Sequence, residues 1–94
     1  MALARVVGFN GVTDERIEEL RQQIGEHGRP DEVPASEIML LHDPGTQRSL
    51  AILIFDNEDD YQRGDAALQA MPADETPGSR TSIDKYTVAI RASP

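Results

Sequence analysis

The chain has 94 residues, nine basic against seventeen acidic side chains for a net charge of −8, and no cysteine. That length suits one domain over residues 1–94, of a size that buries about 60 to 70% of the surface its unfolded chain exposes. The acidic balance argues against nucleic acid and anionic membranes as partners, and the lack of cysteine excludes disulfides, thiolate metal sites and cysteine nucleophiles.

Residues 2–9 are β-branched in their middle and run into Gly8-Phe9-Asn10-Gly11, a cluster that breaks regular structure, so they read as a first strand. They do not resemble a basic leader followed by a long apolar stretch. No apolar run approaches the ~18 residues of a membrane span, so a cytoplasmic protein is expected. Thr13 is placed to cap a helix with Asp14 and Glu15 in its first turn and Ile17, Leu20 and Ile24 at helical spacing; Gly28 and Pro30 should end it. Residues 29–35 have loop composition. Residues 36–43 form a second strand whose Ile38, Met39, Leu40 and Leu41 leave little room for a solvent-facing side. Pro44-Gly45 suits the centre of a type II turn, with glycine accepting positive φ, so the second and third strands should form a hairpin.

The third strand, residues 48–55, is apolar on both faces: Leu50, Ile52 and Ile54 point one way, Ala51, Leu53 and Phe55 the other. Asn57 then caps a second helix with Glu58, Asp59 and Asp60 in its first turn and Tyr61, Gly64, Leu68 and Met71 on one face. Glycine on that face points to close approach of helix and sheet, because it costs up to ~1 kcal/mol of helix propensity against alanine. Pro72 stops the helix, residues 73–80 form a loop, and residues 81–92 form the last strand. Tyr86, Val88 and Ile90 lie on one side of it, and Ile83, Lys85, Thr87, Ala89 and Arg91 on the other.

The order β-α-β-β-α-β predicts an α+β, ferredoxin-like fold with a four-stranded antiparallel sheet and two helices on one face. Two helices cannot cover both faces of such a sheet. A homodimer through the open sheet face is therefore expected, with a small organic ligand as the other possible cover.

Three segments carry a family resemblance: Ala4-Arg5-Val6-Val7-Gly8-Phe9, Leu50-Ala51-Ile52-Leu53-Ile54-Phe55-Asp56 with the helix after it, and residues 80–88 of the last strand. In them the chain resembles the dimeric α/β-barrel superfamily, which contains the antibiotic biosynthesis monooxygenases. The resemblance implies two sheets facing each other across a dimer axis around a cavity. It also implies cofactor-independent oxygenation in some relatives and haem degradation in others. Those activities combine an asparagine, a tryptophan, and a tyrosine or histidine; this chain has no tryptophan, and Asn10 stands where the family asparagine would be. No cofactor and no metal are expected here.

Arg5 shares a parity with Leu3, Val7 and Phe9, and Lys85 and Arg91 share one with Ile83 and Ala89. If those parities face the enclosed side, Arg5, Lys85 and Arg91, with His42 from the second strand, make a basic ligand-binding cluster in an apolar cavity. Otherwise they are strand arginines and lysine with solvated or acid-paired heads. His42, beside Asp43, is the candidate for acid–base work, although neighbours on a strand point to opposite sides. His27 has an ordinary role at a helix C-terminus, and Tyr61 and Tyr86 read as core residues with a polar edge. The Asp56-Asn57-Glu58-Asp59-Asp60 run is strand end plus cap, lacking an EF-hand's glycine. Nothing here names a reaction, and a non-catalytic structural or regulatory dimerisation module is the alternative.

Overall fold

Six elements follow in the expected order: β1 (Leu3–Asn10), α1 (Asp14–His27), β2 (Glu37–Asp43), β3 (Arg48–Phe55), α2 (Glu58–Gln69) and β4 (Ser79–Thr87). The structure, a computed structural model, describes residues 2–27, 33–71 and 76–92, without the His27 side chain. The expectations for His27, Gly28, Pro30 and Pro72 lie outside it. The four strands form an open antiparallel sheet in the order β2-β3-β1-β4, the ferredoxin-like arrangement. Among the described residues no helix is long and apolar enough to cross a membrane.

The register sorts every strand residue onto one of two faces. On the helix side Leu3, Arg5, Val7 and Phe9 of β1 stand opposite Phe55, Leu53, Ala51 and Ser49 of β3. Two core clusters form there. One joins Leu53, Phe55 and Tyr61 with Val33 and Ala35; the other joins Val7, Phe9 and Val12, with Ile17 of α1 packed on it. Val33 and Ala35 sit in the loop before β2, so a stretch read as loop also supplies core. Phe55 meets Tyr61 edge to face, with ring centroids 5.5 Å apart, a favoured aromatic geometry.

Helix ends obey local chemistry. The Thr13 hydroxyl accepts from the Arg16 N–H at 3.1 Å, and Asn57 Oδ1 accepts from the Asp60 N–H at 2.8 Å, each satisfying a donor that the first turn leaves free. Gly64 is buried where α2 crosses β3, and a Cβ there would lie 2.4 Å from Phe55 Cε1. The expected close approach is real.

Three expectations need correction. First, Gly45 does not take positive φ; Gln47 does, at 56°, so the hairpin is not a type II turn over Pro44-Gly45. Its four-residue loop needs a left-handed residue at the end rather than the middle. The Asp43 carboxylate shapes it, accepting from the Gly45 N–H at 3.1 Å and the Thr46 hydroxyl at 2.9 Å. Second, β4 ends at Thr87 rather than Ala92, where its pairing with β1 ends: Leu3, the first residue of β1, pairs with Thr87, and Val88 N–H donates to the Ala2 carbonyl at 2.9 Å. Third, β2 is an edge strand with bare side chains, Ile38, Met39 and Leu41 all being exposed.

Two substitutions test these points in opposite directions. Gly64→Ala should lower the melting temperature, since overpacking against Phe55 costs about 1–3 kcal/mol and outweighs the gain in helix propensity. Gln47→Gly should raise stability by roughly 0.5–1 kcal/mol by relieving left-handed backbone, as read from urea midpoints.

Candidate functional site

The face away from the helices carries Ala4, Val6 and Gly8 of β1, Leu50, Ile52 and Ile54 of β3, Met39 and Leu41 of β2, and Ser82, Asp84 and Tyr86 of β4. Its larger apolar members are wet: Leu50 is 43% exposed, Leu41 46% and Tyr86 57%. Leu41, Leu50, Gly8 and Ser82 form one register row across all four strands. Gly8 makes a dip in that row because it has no side chain, and a Cβ there would come within 2.8 Å of the Ser82 and Thr81 hydroxyls. A trough of about 670 Å³ runs along this end of the sheet, bordered by Asn10, His42, Asp43, Arg48 and Thr81 as well as the row itself. It pairs an apolar floor with a polar rim, the composition that orients a small organic molecule.

The two catalytic candidates, Asn10 and His42, therefore both border the trough, but in different ways. Asn10 is exposed at the end of β1, opposite Ser79. His42 shares the helix-side parity of Ile38 and Leu40, and its ring is engaged there: Nδ1 lies 2.8 Å from Ser49 Oγ and Nε2 lies 3.1 Å from Asp14 Oδ1. Its carboxylate partner is Asp14 of α1, not the adjacent Asp43. Ser49 and Asp14 were not singled out from the sequence, since only the β2–β3 register and the seating of α1 bring them to His42. The Ser49–His42–Asp14 line is no nucleophilic triad. Ser49 is 4% exposed, so its oxygen cannot reach a substrate carbonyl, and a nucleophile needs that access. The line pins the start of α1 to the sheet.

The four basic ligand-binding candidates do not converge. Arg5, His42 and Lys85 all fall on the helix-side parity rather than the open face, and Arg91 lies beyond β4. Each meets a different carboxylate. Arg5 Nε donates to Asp65 Oδ1 at 2.8 Å, Lys85 Nζ holds both oxygens of Glu58 at 2.7 and 2.9 Å, His42 meets Asp14, and Arg91 pairs with Glu37. Lys85 Nζ also sits 4.7 Å from the Tyr61 ring centroid, in cation–π range. With seventeen acids against nine bases in the chain, each of these four candidates has a carboxylate of its own. Among the described residues no three His, Asp or Glu side chains group as metal ligands.

These pairings set the titration of the acids. Hydrogen bonds from Lys85 and then Gln62 hold the Glu58 carboxyl below its usual value, and the Thr46 hydroxyl and Gly45 N–H do the same for Asp43. Burial pushes Asp65 up, but hydrogen bonds from Arg5 and Gln69 and the charges of Arg5 and Arg80 outweigh it and leave the carboxyl lowered. Burial, then the Asp65 charge, pushes the Tyr61 phenol up.

No family model matches the chain, and neither the curated proteins nor the solved structures contain a match. The geometry therefore carries the functional reading.

A lowered carboxyl stabilises the fold above its unfolded value, near ~3.9 for aspartate, and that stability is lost as pH falls through the folded value. Asp65→Asn should be less stable than the unaltered chain at pH 7, with urea midpoints that converge below about pH 4, where Asp65 is itself neutral. Curves that stay parallel down to acid pH would mean that the Arg5–Asp65 pair contributes no charge-dependent stability.

Proposed function

We propose that this protein is a homodimer that binds a small organic molecule between two sheets, each protomer's open face covering the other's. The observation that carries the reading is the wet apolar face itself, with Leu50, Met39 and Leu41 each more than a third exposed beside Val6, Ile52 and Ile54. Each such side chain gains roughly 1.5–3 kcal/mol on full burial, so the sum rivals the ~5–15 kcal/mol stability of a domain. The apolar centre of such a face can cover a second copy of itself about a two-fold axis, provided that Asp43, Asp84 and Glu37 of the same face stay in water. The trough along the Leu41–Leu50–Gly8–Ser82 row is the place for the ligand, its polar group toward Asn10, Thr81 and Ser82.

This arrangement is that of the dimeric α/β-barrel superfamily, to which the strand sequences bear a resemblance. Binding is better supported than oxygenase-like catalysis: both candidates border the trough, but both ring nitrogens of His42 are taken up by Ser49 and Asp14. A structural or regulatory module would use the same face without a ligand, and would fill the trough with partner side chains.

Size-exclusion chromatography with light scattering and native mass spectrometry decide between these. The unaltered chain should run as a dimer at micromolar concentration and retain an organic mass at up to one per protomer. Ile52→Asp should give a folded monomer, whereas Leu53→Asp, which buries a carboxylate among Phe55 and Tyr61, should unfold the chain. An unaltered chain that is a stable, unliganded monomer overturns the proposal; a dimer that never carries a ligand favours the structural module.

A further inference from the structure

The helix side of the sheet holds another cavity, most of whose lining the proposed dimer would not cover. Between the helices and the sheet lies a space of about 190 Å³, walled by Leu20 and Ile24 of α1, Leu68 of α2 and Leu40 and Leu53 of the strands, with Arg5 and Arg80 also lining it. It exists because α1 does not close down on β2: Ile24, on the helix's apolar stripe, remains 50% exposed.

Arg5 is the anomaly. The residue is 2% exposed, yet Nη2 is buried without a hydrogen-bond partner among the described residues. Asp65 uses only one half of the guanidinium fork: its Oδ1 accepts from Nε at 2.8 Å, while Oδ2 is turned to Gln69 Nε2 at 2.9 Å. A carboxylate facing an arginine usually takes both parallel N–H groups, and a buried charged donor left empty is costly. Arg80, exposed and donating to the Leu68 carbonyl, is near enough to draw the Asp65 carboxyl down, so among the described residues Arg5 and Arg80 both act on this one carboxylate.

We propose that this cavity binds a small apolar monocarboxylate, whose carboxylate accepts from Arg5 Nη2 on the side of the cavity that Arg80 also lines, while its hydrocarbon lies against Leu20, Leu40 and Leu53. The size fits: an apolar cavity of about 150 Å³ accommodates a benzene ring. The site is separate from the open-face trough, since Leu53 and Leu50 lie on opposite faces of β3.

Titration of the isotope-labelled full chain with hexanoate and benzoate, against hexanol and benzyl alcohol as neutral counterparts, tests the assignment. The acids should saturate at one per chain and bind at least about tenfold more tightly than the alcohols, as a charge-assisted hydrogen bond provides. Nuclear Overhauser contacts should run from the ligand to the Leu20 and Leu53 methyls. Hexanoate alone, or benzoate alone, binding in this way assigns a straight-chain or an aromatic acid. Arg5→Met should abolish the preference for acid over alcohol; if that variant does not fold, the contacts in the unaltered chain decide. Acids that bind no better than alcohols, or contacts to Leu41 and Leu50 on the open face, overturn the proposal, and the latter would support the trough instead.

Discussion

The structure depends on the two-residue period of β3. Successive side chains leave a strand on opposite faces, and β3 is apolar in both sets, with β1 and β2 as its hydrogen-bonded neighbours. Its Leu53 and Phe55 are consumed by the helix-side core, where Gly64 lets α2 come down onto the Phe55 ring. Leu50, Ile52 and Ile54 are then forced outward by the same covalent geometry. No repacking within one protomer moves them in, because a one-residue slip would bring them to the core only by expelling Leu53 and Phe55.

Charge is organised by the same scarcity. Few bases stand among many acids, and the structure gives Arg5, Lys85, His42 and Arg91 one carboxylate each from four different places. Exposed pairs such as Lys85–Glu58 add little to stability, since water and salt screen them. The Arg5–Asp65 pair differs because Arg5 lies beneath α2, in the low-dielectric side of the sheet, where incomplete pairing is felt most. A buried pair is weak evidence of stability in its own right, and here the unused half of its fork is the more informative feature.

The open face and the space under α1 have a common origin. A chain of 94 residues makes a sheet wide enough for two helices, but α1 has only Ile17, Leu20 and Ile24 to offer it. It reaches the Val7–Phe9–Val12 cluster through Ile17 and is pinned at its start by Asp14 to His42. Farther along it stands off from β2, which leaves open space on the helix side and a bare surface on the other.

Much of this was legible in the residues themselves. The order of elements, the caps at Thr13 and Asn57, the two-sided character of β3 and the closeness implied by Gly64 all follow from local chemistry and periodicity, which act over a few residues and do not depend on the rest of the chain. What tertiary structure alone decided was which parity faces which side, and hence that Arg5, His42 and Lys85 lie with the helices. It also decided that β4 stops where β1 ends, that Gln47 takes the left-handed conformation instead of Gly45, and that Ser49 and Asp14 meet His42. Alternation reveals that a strand has two faces but not which one a helix will cover; that choice is made by packing between residues far apart in sequence, and pairing partners and cavities come only with it.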